Sequence, residues 1–178
     1  MDEECWVQQG YGVKLEAAVI VADVLCFTTC VSIAVGRGTA VHPARGRDGR
    51  AAELATRVGA ELAVPRDEVA AERPYSLSPA QLLMARPTPS AGGPPRSGGR
   101  GGGSRRPGLR PTLSPEADAA RAVLRSVDVG AALRTCASGV ELADRGWAAD
   151  VETAAERDAD TAVPLLADGA FLDRSDGS

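Results

Sequence analysis

Aromatic residues, lysine and histidine are all scarce in this chain of 178 residues. Aromatic residues make up 3% of the chain, so a stable core has to be built from aliphatic side chains, mainly valine, leucine and alanine. Lys14 is the only lysine and His42 the only histidine, so nearly all of the positive charge is carried by arginine. The formal net charge of −4 argues against general nucleic-acid binding.

The four cysteines do not form a metal-binding pattern, and long apolar runs are absent. Cys26 and Cys30 are four residues apart, Cys5 and Cys136 lie elsewhere, and no CxxC pair occurs. A zinc site would need further ligands, and His42 supplies only one, so we expect reduced thiols. No run approaches the roughly 20 apolar residues of a membrane span. Because the opening residues MDEEC are acidic, we also expect no signal peptide and a cytoplasmic protein without membrane contact.

Residues 17–38, AAVIVADVLCFTTCVSIAVGRG, have the pattern of a strand, an acidic turn and a helix. The first six residues are apolar and include three β-branched residues, which is typical of a strand buried on both faces. Asp23 ends that run, and Thr28 and Thr29 are candidate N-caps of a helix over residues 30–35. A carboxylate that faces the donor-rich start of a helix marks a place where phosphate can bind. The alternative is that Asp23 merely caps the helix.

Short strand and helix patterns alternate along the first half of the chain. We predict strands over 39–44 and 60–64, a helix over 48–58 that Gly59 ends, and a helix that begins at Ser78. In the second half we predict four helices, over residues 114–127, 129–136, 138–144 and 150–157. A last strand is predicted over 161–166, followed by a frayed tail from residue 167 on. This alternation predicts an α/β fold with a mixed β-sheet and flanking helices.

Residues 86–113 interrupt the alternation. From residue 86 to residue 114, 20 of 29 residues are Gly, Pro or Arg, and none is acidic. A segment without a hydrophobic period cannot offset the entropy lost on ordering, so we predict that it is disordered. It would separate an N-terminal part of the domain (1–85) from a mostly helical C-terminal part (114–172), which is followed by a tail (173–178).

Residues 23–43, DVLCFTTCVSIAVGRGTAVHP, resemble the opening motif of the 2-phosphosulfolactate phosphatase family. These enzymes are Mg-dependent phosphomonoesterases first placed in coenzyme M biosynthesis. Members typically read D-V-L, a variable residue, an apolar residue and then T-T or S-T; Cys26 stands at the variable position, where Arg or Ser is usual. Three further blocks resemble the family and occur in the family's order along the chain. WVQQGYGVKLE at 6–16 and YSLSPAQLL at 75–83 resemble its actinobacterial branch, and residues 133–171 resemble its C-terminal end.

The resemblance implies a phosphatase that uses Mg²⁺ to hydrolyse a small anionic phosphate monoester to an alcohol and inorganic phosphate. It implies that Asp23 is the catalytic residue and the Mg²⁺ ligand, and that Thr28, Thr29 and Ser78 bind the substrate. A homodimer is a further expectation. From the residues alone, helix capping by Thr28, Thr29 and Ser78 is the alternative.

Several other polar residues are predicted to have structural roles. On an apolar strand, His42 is more often a satisfied structural histidine than a catalytic base. Glu141, Asp144 and Asp150 are predicted to lie on solvated helix faces.

The middle of the family pattern is missing from this chain. Family members carry an S-P-N-G turn after the S-P helix, whereas residues 87–92 read PTPSAG and no S-P-N-G occurs. We therefore expect an incomplete sheet with open edges and uncovered apolar surface. The alternative hypothesis is a catalytically silent family remnant that acts as a binding or interaction protein.

Overall fold

The computed structural model describes residues 23–44, 49–85 and 113–173. Within these ranges lie seven α-helices and one two-stranded antiparallel sheet, so the described part of the chain is of mixed α/β class. The elements are α1 (Phe27–Gly36), α2 (Gly49–Val58), a 3₁₀ turn (Arg66–Glu68), α3 (Pro79–Met84), α4 (Pro115–Ser126), α5 (Val129–Thr135), α6 (Ala137–Asp144), α7 (Ala148–Ala155), β1 (Pro164–Ala167) and β2 (Ala170–Asp173). The block at 6–16, the predicted strand at 17–22, the Gly/Pro/Arg-rich residues 86–112 and the last five residues lie outside the described ranges.

The structure confirms that each predicted helix exists, although α1 starts three residues earlier than predicted and α7 lies two residues earlier. Caps explain where two of the helices begin and end. Ser78 caps α3 by accepting a hydrogen bond from the backbone N–H of Gln81 at 3.2 Å. Gly59 ends α2 with a positive φ of 65°, and the Ala60 N–H reaches back to the Ala55 carbonyl at 2.9 Å. That bond satisfies a carbonyl at the helix end that would otherwise lack a partner. None of the described helices is both long and apolar enough to cross a membrane.

Helix α1 begins earlier than predicted, and this changes the role of two threonines. Its N-cap is Cys26 and its first residue is Phe27. The Phe27 ring packs edge to face on Phe171 with centroids 5.8 Å apart, and this contact favours inclusion of Phe27 in the helix. Thr28 and Thr29 therefore lie inside the first turn, and their prediction as N-caps is wrong.

Strands β1 and β2 form a hairpin where the sequence analysis placed one strand and a frayed tail. Leu166 pairs with Phe171, and Ala167 pairs with Ala170 across a two-residue turn. The turn residues Asp168 and Gly169 have positive φ angles of 52° and 80°, as a type I′ turn requires. The predicted fraying of residues 167–173 is therefore wrong.

Of the three strands predicted in the first half, the two that fall on described residues, 39–44 and 60–64, are each reduced to one paired residue. Val41 exchanges two backbone hydrogen bonds with Phe171, at 3.1 and 2.8 Å, and so extends the hairpin edge by a single bridge. Val64 forms an isolated parallel bridge with Ser76. Pro43 and Pro65 follow closely and have no N–H to continue a ladder. No larger mixed sheet is present in the ranges that the structure describes.

Helix α1 lies at the centre of the described fold, between the hairpin and α3, while α7 packs against α3, α5 and α6. The buried apolar side chains are all small or aliphatic, as the low aromatic content predicts: Cys30, Val31, Val35, Ala51, Val64, Val151 and Ala170. Several larger apolar side chains on α4 and the hairpin remain more than two-fifths exposed, namely Val123, Leu124, Leu165, Leu166 and Leu172. The described part of the chain thus has the uncovered apolar surface expected of it.

Arg37 ties the end of α1 to the end of α3. Its Nη1 donates to the carbonyls of Leu82 and Ala85, and its Nη2 donates to the Leu83 carbonyl at 2.9 Å. These carbonyls lie at a helix C-terminus, which favours a cation and leaves carbonyls without helical partners.

We predict that Arg37→Ala lowers the free energy of unfolding by about 1–2 kcal/mol, because charged hydrogen bonds to helix-end carbonyls are lost. Urea denaturation followed by circular dichroism measures this change. Arg37→Lys keeps the charge but lacks the planar fork of N–H donors, so its free energy of unfolding should lie between those of wild type and Arg37→Ala. Arg57→Ala, at the end of α2, is the matched control, and equal effects of the two alanine variants would contradict the prediction.

Candidate functional site

A hydrogen-bonded turn leads into α1 and carries Asp23. The Asp23 carboxylate Oδ2 accepts from the Phe27 N–H at 3.3 Å, and the Asp23 N–H donates to Thr28 Oγ1 at 3.1 Å. Asp23 is exposed, and its Oδ1 makes no hydrogen bond within the described part of the chain. Asp23 therefore caps the first turn with one carboxylate oxygen, and its other oxygen is uncommitted toward the residues that the structure describes.

The hydroxyl groups of Thr28 and Thr29 hold this turn together. Thr28 Oγ1 donates to the Asp23 carbonyl at 2.7 Å, and Thr29 Oγ1 donates to the Val24 carbonyl. Both side chains are half-buried. Because each hydroxyl has a single proton, neither could donate to a phosphate without giving up its carbonyl partner.

A buried polar cluster lies beside the turn and consists of Cys26, Arg66, Ser76, Ser78, Gln81 and Asp150. At its centre, Asp150 Oδ1 accepts from Ser78 Oγ at 2.6 Å and from the Ala80 N–H at 3.0 Å. Asp150 Oδ2 accepts from Arg66 Nε at 2.9 Å. Asp150 is 1% exposed, so its predicted place on a solvated helix face is wrong. Glu141 and Asp144 are exposed, as predicted.

The remaining members of the cluster fix the loop between the 3₁₀ turn and α3. Gln81 Nε2 donates to the Arg66 carbonyl at 3.0 Å and its Oε1 accepts from the Ser76 hydroxyl. The Ser78 N–H in turn donates to Ser76 Oγ at 3.1 Å. Among the described residues no buried side-chain nitrogen or oxygen lacks a partner. The cluster is therefore a satisfied network, which holds its members in one arrangement.

Cys26 joins the turn of Asp23 to this cluster. Its Sγ donates to the Leu77 carbonyl at 3.6 Å and accepts from Arg66 Nη2 at 3.8 Å. Burial raises the pKa of Cys26, and this exceeds the lowering by the nearby Arg66. Burial likewise raises the pKa of Cys30, one turn further along α1. Both thiols are therefore neutral at pH 7 rather than reactive thiolates.

Arg66 is the positive group of the cluster. Burial alone would lower the pKa of this guanidinium, but the hydrogen bond to Asp150 and the contact with Cys26 outweigh it, so the pKa is raised. Its side chain is 21% exposed. Arg66 thus stays charged while it reaches from the interior to the surface.

Three of the sequence blocks that resemble the phosphatase family meet here. Cys26 comes from the first, Ser78 from the second and Asp150 from the third, and the Cys26–Leu77 and Ser78–Asp150 contacts join them. The structure thereby brings predicted Ser78 next to the turn that carries predicted Asp23, Thr28 and Thr29. His42 lies apart from these contacts, half-buried beside the bridge to the hairpin.

Sequence reasoning missed Arg66 and Asp150. Asp150 precedes the buried Val151 and shares a helix face with Trp147 and Ala154, a spacing that favours an inward-facing carboxylate. Arg66 gave no comparable signal, because its partners lie 40 and 84 residues away in the chain.

The Mg²⁺ implied by the resemblance fits Asp23 and does not fit Asp150. Mg²⁺ is usually held by one or two carboxylates, with waters and substrate phosphate in the remaining positions. Asp23 is exposed and has an uncommitted oxygen, whereas both oxygens of the buried Asp150 are engaged. In the described ranges no three or more His, Cys, Asp or Glu side chains come together as a metal-binding group.

A cavity of about 450 Å³ lies between α3 and α7 and is lined in part by members of the cluster. Its polar lining comes from Ser78, Gln81 and Asp150, and its apolar lining includes Met84 and Trp147. The polar groups already bond one another, so they offer a ligand little unsatisfied hydrogen-bonding capacity. The turn of Asp23 is the better candidate for chemistry.

Comparisons of this chain with protein-family models, with curated proteins and with solved structures found no match. A proposal for its function therefore depends on the residues of the site and on the sequence blocks that meet there.

Proposed function

We propose that this chain is a cytoplasmic 2-phosphosulfolactate phosphatase-like enzyme, which hydrolyses a small acidic phosphate monoester to an alcohol and inorganic phosphate with Mg²⁺. One observation carries the proposal: three sequence blocks that resemble this family come from distant parts of the chain and meet around Cys26, Ser78 and Asp150. Such convergence is expected when the blocks resemble the family because they form a site.

The residues of the turn have distinct roles in this proposal. Asp23 would hold Mg²⁺ through its uncommitted oxygen while its other oxygen keeps the helix cap. When bound, the metal would neutralise charge on the phosphate oxygens and lower the pKa of a bound water. The first turn of α1 presents the positive end of the helix dipole to the anion. Its Phe27 and Thr28 N–H groups already donate to Asp23. Thr28 and Thr29 keep that turn in shape.

In this proposal Ser78 contributes to substrate binding indirectly, by holding its neighbours in position. It caps α3, and its hydroxyl donates to Asp150, which in turn holds Arg66. The hydroxyl proton is committed to a buried carboxylate, so Ser78 would take part in substrate binding through the arrangement of these neighbours.

Phosphate-ester binding without hydrolysis is a second candidate function. The observation that favours it is that the hydroxyl protons of Thr28, Thr29 and Ser78 are all used inside the protein. Among the described residues, the site then keeps one uncommitted carboxylate oxygen, on Asp23, for work on a substrate. Binding a phosphate ester needs fewer free polar groups than hydrolysing it does. The two candidate functions differ in whether phosphate is released.

We predict that Asp23→Asn lowers kcat/KM for phosphate release at least about 10²-fold, because the metal loses its carboxylate ligand. Asparagine can still accept from the Phe27 N–H, so the helix cap should survive and the fold should stay intact. Phosphate release is measured from 2-phosphosulfolactate and a panel of small phosphomonoesters, with Mg²⁺ and with EDTA. EDTA should abolish the release by wild-type protein.

The matched control is Asp144→Asn, which changes an exposed carboxylate at the end of α6 and should leave turnover unchanged. If the folded wild-type protein with Mg²⁺ releases no phosphate from any ester, the hydrolase proposal is wrong. Binding of the esters in that case would favour the second candidate.

A further inference from the structure

The guanidinium of Arg66 has more donors than its contacts use. Nε donates to Asp150 and Nη2 contacts Cys26 Sγ. A guanidinium carries five N–H donors, and Nη1 makes no hydrogen bond within the described ranges. The side chain is 21% exposed, so part of the guanidinium can be reached from solvent.

The position of this guanidinium is fixed by the groups that hold it. Asp150 is 1% exposed and is itself held by Ser78 and by the Ala80 N–H, so the Nε–Oδ2 pair has little freedom. Arg66 also contacts Cys26, which occupies the N-cap position of α1. Arg66 therefore reaches the start of α1, three residues from Asp23.

Arg66 supplies positive charge at a point where the turn itself has none. Burial raises the pKa of Cys26, so the thiol is neutral, and the first turn of α1 contains no basic residue. Arg66 contacts the Cys26 thiol, and Asp23 accepts from the N–H of the next residue, Phe27, so the cation and the carboxylate both lie at the start of α1.

We propose that Arg66 binds the phosphate group of the substrate through the free donors of its guanidinium, an assignment that rests on the proposed function for its substrate class. The planar fork of arginine donors matches two phosphate oxygens, and such charge-assisted pairs are stronger than neutral hydrogen bonds. Asp150 holds the fork in place from behind. The substrate would thus be a phosphate monoester dianion that lies between Arg66 and the turn of Asp23.

The charges of the site predict that this binding depends on a divalent cation. Arg66 contributes one positive charge, and Asp23 and Asp150 contribute one negative charge each, so the group is net negative without metal. An anion approaching that group is repelled until a cation is held at Asp23. Phosphate affinity should therefore be measured with Mg²⁺ present and again with EDTA.

The test uses the full chain and inorganic phosphate as the probe, with the dissociation constant measured by isothermal titration calorimetry in Mg²⁺. We expect Arg66→Gln to weaken phosphate binding by about 10- to 100-fold, as loss of charged hydrogen bonds predicts. Arg66→Lys should retain part of the affinity, since it keeps the charge and loses the fork. The control is Arg73→Gln, which removes an exposed arginine paired with Glu68 and should not change the affinity.

A second measurement needs no variant, so it decides the matter even if Arg66→Gln fails to fold. Wild-type protein is treated with phenylglyoxal, which modifies arginine, and the modified residues are identified by mass spectrometry. Phosphate with Mg²⁺ should slow modification of Arg66 several-fold and leave Arg73 unchanged. Equal modification of Arg66 with and without phosphate would overturn the assignment.

This inference and the hydrolase proposal can fail separately. Phosphate binding that depends on Arg66, in a protein without turnover, would support the assignment while the hydrolase proposal fails. Turnover by wild type, with unchanged phosphate affinity in folded Arg66→Gln, would overturn the assignment and leave the hydrolase proposal standing.

Discussion

Replacement of Asp150 by alanine is expected to lower the free energy of unfolding by about 3–5 kcal/mol, the usual cost of removing one partner from a buried ion pair. The variant would leave three donors without their acceptor: Arg66 Nε, the Ser78 hydroxyl and the Ala80 N–H. Two of these donors belong to groups at the start of α3, so the loss should also loosen the contact of α3 with α7. Urea denaturation followed by far-ultraviolet circular dichroism measures the change.

Asp150→Asn tests how much of the stability comes from the negative charge, because asparagine has nearly the same shape as aspartate. Its amide oxygen can keep the bonds to Ser78 and Ala80, but its NH₂ group would face the Arg66 Nε–H, donor against donor. We expect this variant to lose most of the stability that Asp150→Ala loses. Glu141→Ala is the control, because Glu141 is exposed and, among the described residues, pairs only with Arg145 at the C-terminal end of α6. A loss below about 1 kcal/mol for Asp150→Ala would mean that the carboxylate is solvated and the cluster dispensable.

Helix positions could be predicted from the sequence because their signals are local. Ser78 followed by proline marks the start of α3, and Gly59 marks the end of α2, whatever the rest of the chain does. The start of α1 was missed because it depends on Phe171, which packs on Phe27 from the far end of the chain. Local capping preferences favoured Thr28 and Thr29 as N-caps of α1, whereas tertiary packing favours a helix that begins before them.

Strands were predicted less well, because a strand exists only when another segment pairs with it. Residues 39–44 have the composition of a strand, but only Val41 finds a partner, at the edge of the hairpin. The hairpin itself had a usable local signal, the Asp168-Gly169 dipeptide between short apolar runs. A dipeptide of this kind predicts a hairpin, and therefore β2 in place of a tail.

The candidate site likewise combines residues that local sequence patterns indicate with residues that meet only through tertiary contacts. Asp23, Thr28 and Thr29 are contiguous, so the strand-end pattern and the family resemblance both pointed to them. Arg66 and Asp150 are 84 residues apart and meet only in the folded chain. The sequence block over 133–171 includes Asp150 without indicating that its carboxylate faces inward, which requires the position of α7 against α3.

In the proposed function, Arg66 compensates for the position at which Cys26 departs from the family pattern. The resemblance places Arg or Ser at this position, and the neutral thiol of Cys26 supplies no charge there. Arg66 reaches the same point from the 3₁₀ turn and touches the thiol. The positive charge that the local motif lacks is therefore present near the start of α1, contributed by a residue outside every block of the resemblance.

The largest packing effect is expected at Gly139, in the first turn of α6. A Cβ at this position would lie well inside van der Waals distance of the Leu133 backbone carbonyl and 3.4 Å from Cys136 Sγ. Because the obstacle is backbone rather than a mobile side chain, α5 and α6 would have to move apart. We predict that Gly139→Ala lowers the free energy of unfolding by about 3 kcal/mol, at the upper end of overpacking effects. That loss exceeds the gain of about 1 kcal/mol that alanine brings to a helix interior.

Gly130→Ala provides the matched control, one helix earlier in the chain. Its Cβ would meet Arg134 Nη1 at 3.0 Å, and that flexible side-chain end can move aside. We therefore expect Gly130→Ala to be neutral or to stabilise by up to about 1 kcal/mol, so of these two substitutions only Gly139→Ala should destabilise the protein. Urea denaturation of both variants measures the difference. Equal stability of the two variants would show that α5 and α6 separate at little cost, and that their close approach at Leu133 does not hold the helical half of the chain together.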